Sequence, residues 1–149
     1  MKRVILPALA LASVLAFAAS CGNSGKPADG NKTGGDDKIV RPAPPDEYKG
    51  KTNPTPDAVE EGKKLFETHC VTCHGPNGDG DSPVGSALTP PATNLTDAKL
   101  QDAIGDDYIF WRITEGGKAL GYEGMTPFKE TLKEEQRWQV VAYVRSLKK

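Results

Sequence analysis

The stretch CVTCHGPNGDG, residues 70–80, places two cysteines and a histidine within five positions of a 149-residue chain that has three cysteines and two histidines in all. Four chemistries use such a cluster. Cys70 and Cys73 could form a redox dithiol, close a structural disulfide, join His74 around zinc, or add to the two vinyl groups of a haem whose iron His74 then coordinates. A thioredoxin-like dithiol needs a βαβ setting, which the sequence lacks. Zinc needs a fourth ligand, and the one other histidine, His69, abuts Cys70 and falls on the other side of the turn. A disulfide between Cys70 and Cys73 leaves His74 without a role. The Cys-x-x-Cys-His spacing matches the two vinyl groups on one helical turn, with a histidine next in line for the iron. Covalently attached haem c is therefore the expectation.

An iron held by His74 has a further position to fill. Apart from Met1 the chain has one methionine, Met125, in the run GMTPF. A lone methionine is ordinarily core packing. Met125 instead sits in a glycine- and proline-bearing loop, where a side chain can be presented to a ligand, so we expect it to be the second iron ligand. His69 is expected to face solvent or to cap the helix before the motif.

These residues need elements to position them. TPDAVEEGKKLFETHC predicts a helix with Thr55 as N-cap and Pro56 at the first helical position. Val59, Gly62, Phe66 and Cys70 or Cys73 form one face of it. A glycine-, aspartate- and proline-rich loop, GPNGDGDSPVGSALTPPATN, follows. A short helix is expected over 97–104, capped by Thr96. Another starts at Asp106 or Asp107 and stops at Gly116 and Gly117, with Ile109, Phe110 and Ile113 inward. GGKALGYEGMTPF reads as an irregular loop. In the last helix Thr131 and Glu134 have capping-box spacing, and Trp138, Val141, Val144 and Leu147 make an apolar stripe. No segment alternates long enough to be a strand, so the domain is expected to be all-α. Two long loops between short helices are uncommon in a small domain without a function. A large apolar cofactor at the centre explains how so loose a frame folds.

The chain begins differently. Lys2 and Arg3 precede an apolar run from Val4 to Phe17, too short to span a bilayer as a helix, so residues 1–20 read as a secretory signal peptide. Ala18, Ala19 and Ser20 lead into Cys21 as in a bacterial lipobox, which makes Cys21 the expected lipid attachment site. Residues 21–53 are polar and rich in glycine and proline, and are expected to be a disordered tether. The folded domain is expected over 54–149. With a formal net charge of −1 the chain has no electrostatic footprint for nucleic acid.

Taken together, CVTCHGPNGDG, PPATNL, GMTPF and EEQRWQVVAYVRSL resemble a class I monohaem cytochrome c domain over about Thr55–Leu147. The resemblance implies a bundle of short helices with long loops around one covalent haem, its first and last helices crossing. It implies Cys70 and Cys73 as thioether anchors, His74 as proximal ligand and Met125 as distal ligand. It implies a proline carbonyl accepting a hydrogen bond from His74, with Pro83 the first candidate and Pro90 the second, and contacts of Gly62 and Phe66 with Tyr143. The function it implies is one-electron transfer, not catalysis, between redox partner proteins. The lipid anchor would hold the protein on the periplasmic side of a bacterial membrane, as a monomer or a complex subunit. The alternatives are a haem relay inside a respiratory or oxidative enzyme complex, and a haem gas sensor or peroxidase.

Overall fold

The structure, a computed structural model, describes residues 41–149. The expected signal peptide, the expected lipid site Cys21 and the greater part of the expected tether lie outside the described residues. The six helices are α1 (Val59–His69), α2 (Val71–His74), α3 (Pro83–Ala87), α4 (Ala98–Ala103), α5 (Asp106–Glu115) and α6 (Glu134–Ser146), with a 3₁₀ turn at Lys118–Leu120. Among the described residues there is no strand, and no helix is long and apolar enough to cross a membrane. The all-α expectation holds.

The frame is set where α1 crosses α6, the most extensive helix pairing of the domain. A Cβ on Gly62 would lie 1.9 Å from the Gln139 carbonyl oxygen and 2.9 Å from Tyr143 Cβ, so the absent side chain is what lets the two backbones meet. One turn on, the buried Phe66 ring sits 5.1 Å from the Tyr143 ring, tilted by 59°. Both contacts with Tyr143 are those the sequence resemblance implied. Helix α6 is buried on more than one stripe, with Trp138, Val140, Val141, Ala142, Tyr143 and Val144 all inside. Such a helix is covered on several sides. Phe110 of α5 stacks flat on Trp138, with ring centroids 3.9 Å apart and planes 10° from parallel.

The helix starts differ from expectation by a few residues. Thr55 does not cap α1: its N–H and hydroxyl donate to Asn53 Oδ1 at 2.8 and 3.2 Å, and residues 55–58 close a separate turn. Asp97, not Thr96, caps α4, its Oδ1 accepting from the Lys99 N–H at 2.8 Å. The box at the start of α6 is shifted by two residues, with Gln136 Oε1 accepting from the Lys133 N–H at 2.9 Å. In each case a neighbouring polar residue competes for the same capping geometry.

One side chain ties the short elements to α6. Arg145 donates from Nε to Asp106 Oδ1 at 2.7 Å, from Nη1 to Gln101 O at 2.7 Å and Gln101 Oε1 at 2.8 Å, and from Nη2 to Ile104 O at 2.7 Å. It thereby supplies donors to the α4–α5 turn.

The expected tether ends earlier than residue 53. Residues 45–49 make a turn, and Tyr48 is buried against Phe110, its hydroxyl donating to Glu115 Oε1 at 2.5 Å. The Gly50 N–H donates to Asp107 Oδ2 at 2.8 Å, and Asn53 Nδ2 to the Trp138 carbonyl at 3.0 Å. This strap binds α5 and α6 from outside. The physical reason is one aromatic ring in an otherwise polar run, which buries enough apolar surface to order its neighbours. The Tyr48 hydroxyl holds the Glu115 carboxyl below its ordinary range.

The helix crossing yields a direct expectation. Gly62→Ala forces a methyl into the Gln139 carbonyl, and overpacking of this kind costs about 2–3 kcal/mol. Thermal unfolding followed by circular dichroism should show a Tm lowered by roughly 10 °C or more, whereas Gly121→Ala, with nothing within 4 Å of its Cβ position and only the left-handed backbone penalty of φ +76° to bear, should lower it less.

Candidate cofactor site

Helix α1 ends one residue before Cys70, and the Cys70 N–H still bonds back to Phe66 O at 2.8 Å. The chain then restarts as α2, a single turn that carries Cys73 and His74. This break matters because the cysteines and the histidine leave the axis of α1 and turn toward a common space. The turn is anchored from below by the loop that follows. The Ser82 hydroxyl lies 2.8 Å from Thr72 O and 2.9 Å from Cys73 O, and accepts from the Gly85 N–H at 2.8 Å. A Cβ on Gly85 would come within 2.0 Å of Cys73 O, so α3 and the motif are packed backbone to backbone.

The space they face is a cavity of about 200 Å³, far more than the 10–15 Å³ that one water requires. Cys70, Cys73, His74 and Met125 all line it. Around them stand Phe66, Leu88, Pro90, Leu95, Leu100, Ile104, Ile109, Ile113, Phe128, Val140 and Val144, drawn from the helices and from both long loops. The two irregular loops are thus walls rather than spacers.

His74 is held by one hydrogen bond, Nδ1 to Thr93 O at 3.1 Å. A carbonyl oxygen only accepts, so Nδ1 carries the proton and Nε2 keeps its lone pair. Burial holds the His74 pKa below its ordinary value, only partly offset by the Thr93 bond. The ring is therefore neutral at pH 7, the form that binds a metal. The acceptor is a correction to expectation: Pro83 is the first residue of α3 and is exposed, and Pro90 lines the cavity without taking this bond. The chain passes His74 three residues after Pro90.

Cys70 and Cys73 are both free thiols. Burial, with Cys73 beside it, pushes the Cys70 thiol up to about 12. A reactive dithiol requires the opposite shift. Among the described residues no three His, Cys, Asp or Glu side chains converge as a metal-binding group, so the donor set for zinc is missing.

Met125 reaches the cavity from the 116–128 loop, which is pinned to the end of α5. The Gly117 N–H donates to Met125 O at 2.8 Å, and the Phe128 N–H to Ile113 O at 3.0 Å. Gly116 turns the chain with φ +67°, and a Cβ there would lie 2.5 Å from Met125 O. His69, expected to face solvent or to cap the helix, lines the cavity and meets Phe128 edge-on at 5.9 Å. Trp111 is buried against Tyr108 and does not line the cavity; from α5 that role falls to Tyr108, Ile109, Arg112 and Ile113.

Arg112 was not anticipated from sequence. Its Nη1 is buried and has no hydrogen-bond partner among the described residues. Arg112 as a whole is half-buried, but a buried donor left unbonded is costly, so the cavity suits an occupant that is apolar over most of its body and offers an acceptor at that point. Haem, a flat macrocycle with two carboxylates, fits that description, and the thiol pair, the neutral imidazole and the thioether are suited to hold it.

A helical shell around such a cavity suits a bound cofactor, and similarity to known proteins gives the family. The cytochrome c family model matches residues 59–148, and the chain belongs to that family. Its members carry covalently bound haem c and transfer electrons. Among solved structures the chain is similar to the KustC0563 c-type cytochrome, with 37% identity over 59% of this chain and 98% of that one and a TM-score of 0.51. It is also similar to a chain of the Kuenenia stuttgartiensis reducing HAO-like protein complex Kustc0457/Kustc0458, with 25% identity over 76% of this chain and 54% of that one and a TM-score of 0.55. No curated protein sequence matches it.

The pinned loop can be tested through the stability of the mature protein. Gly116→Ala adds a left-handed backbone penalty to a clash with Met125 O, and should cost about 2 kcal/mol or more in urea unfolding. Hydrogen exchange of the Gly117 amide, which the Met125 carbonyl now protects, should accelerate.

Proposed function

We propose that the protein is a one-electron carrier with a single haem c, anchored through Cys70 and Cys73 and ligated by His74 and Met125. The observation that supports this most is the gathering of those four side chains on one apolar cavity, with the His74 Nδ1 proton committed to Thr93. Haem c supplies the one-electron chemistry of its iron, and methionine–histidine ligation raises the potential. Cys70 and Cys73 hold the group covalently against the end of α1. Thr93 fixes the ring and tautomer of His74, and the loop pinned to α5 presents the Met125 thioether. The apolar walls exclude water.

Correctly matured protein should retain haem through acid–organic extraction and stain for haem on a denaturing gel. Loss of haem there would sink the assignment of Cys70 and Cys73. Met125→Ala should leave the haem attached, open the iron to carbon monoxide or cyanide, and lower the reduction potential. A wild-type protein that already binds carbon monoxide rapidly, unchanged by Met125→Ala, would instead favour a gas sensor or peroxidase. The similarity to a chain of the HAO-like complex supports a second reading, a haem relay within a larger assembly. Copurification in a large complex would favour it over a free carrier.

The sequence of the N-terminus supports a reading of the location. The run Ala18-Ala19-Ser20-Cys21 supports export, lipidation of Cys21 and tethering to a bacterial membrane on its periplasmic side. Mass spectrometry of the mature protein should find Cys21 as the acylated first residue with more than one chain, since a single chain anchors only marginally. Cys21→Ser should yield uncut precursor or a soluble product, and an unmodified Cys21 would make the protein freely diffusing.

A further inference from the structure

The two long loops that wall the cavity touch each other as well as the helices. A Cβ on Gly124 would lie 2.8 and 2.9 Å from Leu88 Cδ2 and Cδ1, so the leucine occupies the place that a side chain on Gly124 would take. Leu88 lines the cavity and is half-buried, as is Met125, the residue that follows Gly124. The leucine therefore lies against the stretch of backbone that carries the thioether.

Leu88 is in turn placed by α3, which it directly follows, and its N–H bonds back to Gly85 O at 3.4 Å. Gly85 is the joint of this short helix. Its N–H donates to Ser82 Oγ at 2.8 Å, and a Cβ on it would come within 2.0 Å of Cys73 O. Its carbonyl also accepts from the Ala92 N–H at 2.9 Å, one residue before the Thr93 carbonyl that takes the His74 hydrogen bond. Ser82 Oγ completes the brace, 2.8 Å from Thr72 O and 2.9 Å from Cys73 O. One helix of five residues is thus fixed to the cysteine turn and to the segment that orients His74, and through Leu88 it reaches the segment that carries Met125.

We propose that Leu88 is a positioning residue for Met125, and that α3 is a crossbar through which the cysteine turn sets how firmly the distal thioether is held. This rests on the Met125 ligation proposed above and deepens it by naming what keeps that bond closed. The bonds from Gly117 and Phe128 hold the Met125 loop to α5, whereas Leu88 holds it from α3. An external ligand binds only the fraction of molecules in which the thioether has swung away, so its apparent binding reports that open population. Packing contacts on Gly124 exist in the closed arrangement and are forfeited when the loop moves off. Removing them raises the open fraction. It also lowers the reduction potential, because the thioether ligand that raises it is less firmly held.

The test is cyanide binding to the oxidised full-length holoprotein, followed by stopped-flow absorption. The absorption signature of methionine-ligated iron and the reduction potential are measured alongside. Leu88→Ala should bind cyanide about tenfold faster, as expected for losing part of a leucine's packing, and its potential should fall. Leu88→Ile, of equal volume, should restore most of the wild-type rate. Val84→Ala, on the same helix but at a residue 46% exposed, should match wild type. Ser82→Ala, which loosens the brace at its other end, should accelerate binding several-fold. The Ser82→Ala/Leu88→Ala double variant should fall short of the product of the two effects, since both act through one crossbar. A wild-type rate and ligand signature in Leu88→Ala, or effects of Ser82→Ala and Leu88→Ala that multiply in full, would overturn the proposal and leave the haem assignment intact. Should Leu88→Ala fail to mature, Leu88→Val decides on the same readouts. A wild-type protein that lacks the methionine signature and binds cyanide at once would overturn Met125 ligation itself, and this proposal with it.

Discussion

The close approach of α1 and α6 at Gly62 sets the position of nearly everything else. Two helix backbones that touch have no room to adjust by side-chain repacking, so the crossing fixes where α1 ends. Cys70 is the residue at that end, and the single turn of α2 carries Cys73 and His74 away from the helix axis. Phe66 completes the link, packed between Tyr143 of the partner helix and the His74 ring, whose centroid is 6.4 Å away. The position of the histidine is thus inherited from a contact twelve residues earlier in the chain.

The other wall of the cavity is made differently. Short helices and loops contribute it, and hydrogen bonds to polar side chains help to hold them. Gln101 donates to both Leu95 O and Val144 O, Arg145 collects the α4–α5 turn, and Ser82 braces the motif. Such networks specify geometry, because each donor has one satisfied arrangement and leaving it unmade is costly. A large cofactor then contributes the apolar contacts that the walls alone do not make to one another.

Periodicity and spacing made much of this legible in advance. The Cys-x-x-Cys-His run, the apolar faces of α1, α5 and α6, and a methionine stranded in a loop are all local signals, and local signals survive without a structure. What depended on where a loop travels was not legible. Thr93, rather than Pro83 or Pro90, reaches His74 because the chain goes past the ring there, and no residue pattern announces a backbone carbonyl. Tyr48 was hidden for another reason: its partners Glu115 and Phe110 are more than sixty residues away, and its own neighbours look like linker. Arg112 sits on a helix face between residues read as core, and that its buried Nη1 has no hydrogen-bond partner among the described residues is visible only once the chain is folded.

The strap also determines how the domain would bear load. Its attachment points are the Tyr48 hydroxyl on Glu115, the Gly50 amide on Asp107 and the Asn53 amide on the Trp138 carbonyl, at both ends of α5 and the first turns of α6. A pull on the chain from upstream would therefore be taken up by α5 and α6 before it reached α1. The turn that bears Cys70, Cys73 and His74 hangs from α1 and lies beyond those clamps. Arg41, upstream of the clamps, meets such a pull at the cavity wall, and the rest of the force is delivered to the outer frame before it reaches the motif.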